Sequence, residues 1–335
     1  VAVVGATGLV GTEMINILVE RNFPVEVLYL LATERSAGTV IEVKGKKITV
    51  EDIAKFSPDG IHIALFAGGE IASADFAEKF INAGAIIIDN SAAFRMNRDV
   101  PLVVPEVNPE DLRKHHGIIA NPNCSTIQMV VALKPIYDAV GIKRIIVSTY
   151  QSVSGTGKAA VAELEEQAKA VLEGRESEIK TEVYPHRIAF NVLPHVGSFQ
   201  SDGYSSEEQK MLFETRKIMG DDSIRVSATT VRVPTYIGHC ESVNIETKRK
   251  ITADEVRELL RRAPGVKVID DPSKNIYPMT ITSAHTDDVF VGRIREDVST
   301  DSGIEMFIAA DNLRKGAALN AVQIAEKMLE MGLIQ

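Results

Sequence analysis

Val1-Ala2-Val3-Val4-Gly5-Ala6-Thr7-Gly8-Leu9-Val10-Gly11-Thr12 decides how the first third of the chain folds. Four apolar residues run directly into glycines spaced G-x-x-G-x-x-G, after which apolar positions recur at helical spacing over Thr12–Val19. A buried strand, a tight glycine turn and a helix start bring backbone N–H groups against a pyrophosphate. Gly5, Thr7, Gly8, Leu9, Val10 and Gly11 are therefore expected to hold a dinucleotide; without that strand–helix setting the same glycines would be an ordinary turn.

Working outward, strand-like runs occur at Val27–Leu31, Ile61–Phe66, Ala85–Asp89 and Gly117–Ala120, with a helical pattern at Ala72–Ala83. Strands alternating with helices predict right-handed βαβ units and a parallel sheet. Beyond the second strand the chain reads Leu31-Ala32-Thr33-Glu34-Arg35-Ser36. A guanidinium flanked by hydroxyls suits a 2′-phosphate, so Thr33, Arg35 and Ser36 point to NADP, while Glu34 keeps NAD open.

The pattern changes near Cys124. A helix is expected from Ser125 to Ala139, followed by longer β-rich runs at Arg144–Tyr150, Ile224–Val233, Ser242–Thr247, Val289–Ile294 and Glu305–Ala310. Amphipathic helices at Ala159–Leu172 and Ala253–Arg262 interrupt them. These long connections predict a mixed, largely antiparallel sheet with helices on one face. Leu172–Pro185 is the most polar, linker-like stretch. A last helix, Ala317–Met331, returns towards the first domain. The fold class is thus α/β: a Rossmann-type dinucleotide-binding domain over 1–123 plus the C-terminal segment 312–335, and an α+β domain with a mixed, largely antiparallel sheet over 124–311.

Cys124 lies in Asn121-Pro122-Asn123-Cys124-Ser125-Thr126, where a strand gives way to a helix. A helix N-terminus favours a thiolate and offers N–H groups to an oxyanion, which suits a nucleophile. A lone intracellular cysteine is otherwise a small buried hydrophobe. Cys240 follows His239 in a strand-like segment, so the two side chains point to opposite faces; Cys240 is read as packing.

The 335 residues suit two domains, and 45% hydrophobic with 25% charged residues is ordinary for a globular protein. A net charge of −9 argues against nucleic acid as a general partner. Two cysteines make no disulfide framework, and no apolar run approaches a membrane span. The chain opens on a strand, not a signal peptide, and without an initiator Met. A cytoplasmic protein with no membrane partner and no metal is expected.

The ordered motifs together resemble the aspartate-semialdehyde dehydrogenases over nearly the whole length. They are the Gly5–Gly11 loop, Ser36-Ala37-Gly38, Asp89-Asn90-Ser91, Val104–Asn108, Asn121–Thr126, Ser148–Gly155, Arg232-Val233-Pro234, Gly238-His239 and Asp311-Asn312-Leu313. The resemblance implies Cys124 as nucleophile, His239 as general acid/base and Gln151 orienting substrate. It assigns Arg232 to the substrate α-carboxylate and Arg95, Asn123 and Lys210 to phosphate, with Glu207 beside them. Ser154, Gly155 and Asn312 fall on the nicotinamide side of NADP. Taken alone, Glu207 and Lys210 would be an exposed i,i+3 pair. Phe94 stands where the family often has Tyr or Trp, and Cys240 where a serine commonly follows the histidine.

The implied reaction is NADPH-dependent reduction of aspartyl phosphate to aspartate semialdehyde with release of phosphate, through a cysteine thioester. A homodimer or homotetramer is implied as well. Two alternatives compete. N-acetyl-γ-glutamyl-phosphate reductase shares the chemistry but usually carries a Gly-Cys-Tyr-Pro motif, where this chain has Asn123-Cys124-Ser125. A non-catalytic NADP sensor would have lost the cysteine, histidine or arginine, and all three are present.

Overall fold

A computed structural model describes residues 1–334, which divide into two compact units, one built from Val1–Asn123 with the chain from Ala317 onward, the other from Cys124–Gly316. In the first unit the strands are β1 (Ala2–Val4), β2 (Tyr29–Ala32), the hairpin β3 (Val40–Val43) and β4 (Lys46–Thr49), β5 (Glu51–Asp52), β6 (Ile63–Phe66), β7 (Ile86–Asp89) and β8 (Ile118–Ala120). Six of them form one parallel sheet in the order β5-β2-β1-β6-β7-β8. The helices are α1 (Leu9–Glu20), α2 (Glu70–Asn82) and the C-terminal helix, labelled α8 below (Leu319–Glu330).

Period-two alternation divides this unit's core. Val3, Leu30, Leu65 and Ile88 face α1 and α8, where they meet Met14, Ile17, Val322 and Met328. Ala2, Val4, Leu31, Phe66 and Ile87 face the other way, against Ala77 and Phe80 of α2. Strands buried on both faces read as continuous apolar runs, which is why Val1–Val4 carried no polar alternation. The hairpin β3–β4 went unforeseen: its residues are mostly exposed, and the positive φ of Lys44 and Gly45 makes its turn.

The second unit contains α3 (Cys124–Val140), β9 (Ile142–Gln151), α4 (Lys158–Leu172), α5 (Ser206–Met219), β10 (Arg225–Arg232), β11 (His239–Thr247), α6 (Ala253–Arg261), β12 (Val266–Val268), α7 (Thr280–Ser283), β13 (Val289–Glu296) and β14 (Gly303–Ala310). Its sheet has the order β10-β9-β11-β14-β13-β12, antiparallel in the middle and parallel at both edges. Ile145, Val147, Val243, Ile245, Met306 and Ile308 are buried on the face that α3 covers. The opposite face leaves Tyr150 exposed, its ring 6.1 Å from that of Phe307.

Two expectations need correction. The polar stretch 172–185 is not a free linker. The buried Glu163 carboxylate of α4 accepts N–H bonds from Glu182 (2.8 Å), Val183 (2.6 Å) and Tyr184 (3.3 Å). Gln167 accepts from Ile188 and Ala189 and donates to Lys180 O. Polar side chains strap the segment where apolar ones are few. The chain also rejoins the first unit at Ala317, not at 312. Asn312 bonds to Ser152, Ser154 and Gly238, all of the second unit, and holds the chain there for another turn.

Candidate active site

The nucleotide-binding features of the first unit gather at the C-terminal ends of β1 and β6, neighbours that the chain leaves in opposite directions. That is the switch point at which open parallel sheets bind ligands. Gly5 has φ +80°, and a Cβ there would lie 2.7 Å from the Ala67 backbone; a Cβ on Gly11 would lie 2.2 Å from Gly5 O. Both glycines are required by close backbone approach. The first helical bond of α1 runs from Thr12 N–H to Gly8 O at 3.0 Å, so the N–H groups of Leu9, Val10 and Gly11 precede it and have no acceptor within the helix. No acidic side chain sits in this first turn to compete for them. The loop fits a pyrophosphate.

Sequence reasoning missed the second wall of this cradle, Ala67-Gly68-Gly69. Its signal was Gly-Gly directly after an apolar strand. After β2, a 3₁₀ turn over Glu34–Ser36 exposes Thr33, Glu34 and Arg35. Glu34 pairs with Lys55 at 3.2 Å, whereas Arg35 has no partner among the described residues. The cation, not the carboxylate, is left for the ribose end of a nucleotide. Arg95 is buried in the first unit and donates to Asn90 O at 2.9 Å; Asn123 is buried there as well.

In the second unit, strand direction does the assembling. β9, β10 and β14 run one way and β11 the other, so Gln151, Arg232 and Ala310 at strand ends reach the edge where His239 begins β11. Cys124 opens α3, which packs across β9, β11, β13 and β14. Its neighbour is Gly316, where a Cβ would lie 3.0 Å from Cys124 Cβ. Gly316 sits in a π-helical turn, Arg314–Ala318, of the kind that often marks functional positions. The turn is set by Asp311, whose carboxylate accepts from the N–H groups of His285, Leu313 and Arg314.

Next in the chain, Asn312 reaches the histidine's surroundings. Its Oδ1 accepts from Gly238 N–H (2.9 Å) and Ser152 Oγ–H (3.0 Å), and its Nδ2 donates to Ser154 Oγ (2.9 Å). His239 is fully buried; its Nδ1 lies 3.1 Å from both the N and the Oγ of Ser152, and its Nε2 has no hydrogen-bond partner. Burial, reinforced by the charge of Arg232, holds this imidazole well below the usual histidine range and keeps it neutral near pH 7.

The Arg232 guanidinium donates to Ser152 O at 2.7 Å and stands 6.0 Å from the Tyr184 ring, while its Nε is buried without a partner. A Cβ placed on Gly155 would lie 3.1 Å from Arg232 Nη1 and 3.2 Å from His239 Nε2. The absent side chain of Gly155 thus leaves one point open to both groups. Gln151 is fixed from both ends, accepting from Thr149 Oγ1 (3.0 Å) and donating to Glu207 Oε1 (3.1 Å).

Glu207 is buried, with Lys210 at 3.4 Å from its other oxygen. It is not the solvated surface carboxylate that its i,i+3 spacing alone predicts, because Gln151 draws it into the interior. Cys240 lies on the far face, lining a cleft with Tyr150 and Phe307, and burial pushes its thiol up to about 12.

One buried acid escaped sequence reading. Glu241, two residues after His239, is fully buried and neither carboxyl oxygen has a partner in hydrogen-bonding geometry. Burial holds its carboxyl well above the usual carboxylate range, opposed by Gln128, one turn beyond Cys124 on α3. Burial thus favours its protonated form.

Two family models match the chain: the semialdehyde dehydrogenase NAD binding domain over residues 1–115 and the semialdehyde dehydrogenase dimerisation domain over residues 133–315. A curated aspartate-semialdehyde dehydrogenase from Aquifex aeolicus is 57% identical over 337 residues, covering 100% of this chain and 99% of the relative. The chain belongs to the aspartate-semialdehyde dehydrogenase family.

Among solved structures, aspartate semialdehyde dehydrogenase II of Vibrio cholerae complexed with ASA superposes with a TM-score of 0.95 at 48% identity, covering 98% and 97% of the two chains. The Candida albicans enzyme with NADP is similar at a TM-score of 0.75 and 25% identity, covering 98% and 97%. The chain is accordingly an NAD(P)-dependent oxidoreductase of amino-acid biosynthesis, and neither the N-acetyl-γ-glutamyl-phosphate reductase reading nor the non-catalytic sensor is favoured. Among the described residues no helix is long and apolar enough to cross a membrane.

Proposed function

We propose that the chain converts aspartyl-β-phosphate to aspartate semialdehyde and phosphate through a thioester on Cys124, with His239 as proton carrier. The reading is carried by the single open point that Gly155 leaves between the Arg232 guanidinium and the unpartnered His239 Nε2. A substrate whose α-carboxylate bonds the guanidinium is held by a fixed fork. Its negative charge also offsets the arginine that disfavours the imidazolium, so substrate binding itself makes His239 a better proton acceptor.

The first turn of α3 favours a thiolate at Cys124 and directs N–H groups at the oxyanion that forms when the sulfur attacks the acyl carbon. Gln151, clamped between Thr149 and Glu207, holds the acyl group in one orientation. Lys210, Arg95 and Asn123 are the residues that the family pattern assigns to the departing phosphate. Bound NADPH supplies the hydride, and Arg35, with no partner among the described residues, suits its 2′-phosphate; the Candida albicans relative is solved with NADP. His239 gives a proton to the oxygen as the hemithioacetal on Cys124 forms from the thioester, and takes it back in the reverse oxidation.

The exposed sheet face, with Tyr150, Phe307 and Met279 around a cleft of about 430 Å³, is proposed as the contact between copies in a homodimer. Two cysteines with no disulfide between them fit a reducing compartment, and we place the protein in the cytoplasm.

The testing experiment is phosphate-dependent NADP reduction with aspartate semialdehyde, run beside N-acetylglutamate semialdehyde. Turnover of the first alone is expected. Equal or preferred turnover of the second overturns the assignment.

A further inference from the structure

We propose that the Ser152 hydroxyl holds the Nδ1 proton of His239, so that Nε2 keeps the lone pair with which it takes and returns the reaction's proton. The inference rests on His239 being the proton carrier. It follows from a chain of buried groups whose donor and acceptor roles are forced. Gly238 N–H can only donate, so the Asn312 atom that it meets at 2.9 Å is the carbonyl oxygen. Ser152 Oγ, 3.0 Å from that same oxygen, must spend its single proton there. Its lone pairs are left facing His239 Nδ1 at 3.1 Å. Ser154 Oγ accepts from Asn312 Nδ2 at 2.9 Å, and its own O–H can reach Asn312 Oδ1 at 3.4 Å or a second lone pair of Ser152 Oγ at 3.2 Å, so it does not compete for the Nδ1 proton.

Ser152 therefore offers Nδ1 two opposite partners. Its hydroxyl accepts from Nδ1–H, which leaves Nε2 with a lone pair. Its backbone N–H, also 3.1 Å away, donates to a bare Nδ1 and so favours the tautomer with the proton on Nε2. Only the first form can accept a proton at Nε2, the nitrogen beside the Gly155 opening. In the oxidative direction the hemithioacetal O–H proton moves to Nε2 while the C–H electron pair leaves as hydride to oxidised NADP, which the established activity supplies. The resulting imidazolium keeps Nδ1–H on Ser152 Oγ, and the reductive direction reverses each transfer.

Burial and Arg232 both disfavour this cation, so an acceptor for its second N–H matters more here than in water. The charged and titratable groups on the elements packed around β11 are Arg232 from β10, Glu241 of β11 itself, Asp311 after β14, Cys124 at the head of α3 and, through Gln151, Glu207 of α5. None of them hydrogen-bonds Nδ1, whereas Ser152 does; a backbone hydrogen bond to Gly238 also favours the charged ring.

The test uses the full-length enzyme with ¹⁵N-labelled histidine. In the wild type the neutral His239 ring should show its proton on Nδ1. In Ser152→Ala and Ser152→Gly it should move to Nε2, and kcat for semialdehyde oxidation should fall at least about tenfold, the worth of one hydrogen bond to a charged group. The alkaline limb of the reductive pH profile should move to lower pH. An unchanged tautomer and unchanged pH profile in both variants overturns the inference. His239→Asn separates the two layers: if it abolishes turnover while the Ser152 variants behave as wild type, only the role of Ser152 falls. If His239→Asn retains turnover, both readings fall.

Discussion

Replacing Gly155 by alanine adds one methyl group at the point that the proposed mechanism most needs open. The glycine lies in a 3₁₀ turn, Val153–Thr156, and its φ is outside the left-handed region, so the backbone accepts a side chain without strain. The new Cβ would lie 3.1 Å from Arg232 Nη1 and 3.2 Å from His239 Nε2, tighter than ordinary van der Waals contact, so the guanidinium at the end of its flexible side chain must give by a few tenths of an ångström beside the anchored imidazole.

Stability should therefore be nearly unchanged, since the entropic gain of Gly→Ala, about 0.4–1 kcal/mol, offsets a small displacement of the guanidinium. Catalysis should not survive so well. A carboxylate needs to come within about 2.7–2.9 Å of the guanidinium, and the methyl occupies that space. Losing one charge-assisted hydrogen bond costs about 1.5–3 kcal/mol, or roughly tenfold to a hundredfold in kcat/KM. The assay pairs phosphate-dependent oxidation of aspartate semialdehyde with thermal unfolding of the same preparation. Wild-type kcat/KM in Gly155→Ala refutes the placement of substrate between Arg232 and His239; a collapsed melting temperature would show that the geometry around the turn has been misjudged.

Other outcomes follow from the same contacts. Cys124→Ala should lower kcat by several orders of magnitude and leave NADP affinity, measured by fluorescence titration, unchanged. Arg232→Lys keeps the charge but loses the fork, so KM for the semialdehyde should rise; an unchanged KM places the carboxylate elsewhere. Glu207→Ala frees the Gln151 amide and leaves its buried N–H without an acceptor, so kcat should fall about tenfold or more with phosphate affinity affected less than in Lys210→Ala.

The buried pair His239 and Glu241 gives stability an unusual pH dependence. The depressed imidazole makes the unfolded chain bind one more proton below pH 6.5, while the raised carboxyl makes the folded chain hold one more above pH 4.5. Between those values the two contributions cancel. Denaturant unfolding of Glu241→Gln should show stability rising with pH across that window, by up to about 1.4 kcal/mol per pH unit, and His239→Asn should show it falling. Parallel profiles for the wild type and both variants would contradict these assignments.

Much of the site was legible because its signals are local. A glycine loop after a buried strand, a cysteine at a strand–helix junction and the alternation of His239 with Cys240 depend on neighbours a few residues apart. The strand ends were less legible: β11 begins at His239, three residues before the expected run at Ser242, because the buried acid Glu241 breaks the hydrophobic pattern there. The supporting groups could not be read at all. Ser152 meets Asn312 across 160 positions and His239 across 87, pairings set by sheet register. Asn312 carries a cofactor assignment from the resemblance, and nothing in its neighbourhood along the chain announces that its side chain also meets Ser152, Ser154 and Gly238. Tyr184 beside Arg232 gave no signal, since it falls in a polar stretch that only the strap from Glu163 reveals as ordered.

The covalent step is the centre of the account, and mass spectrometry reads it directly. Enzyme mixed with aspartyl phosphate in the absence of NADPH, then acid-quenched and digested, should carry one aspartyl group on the peptide containing Cys124, and the Cys124→Ser protein should carry none as a thioester. An unmodified Cys124 peptide under turnover-competent conditions, or an acyl group on Cys240 instead, would contradict it.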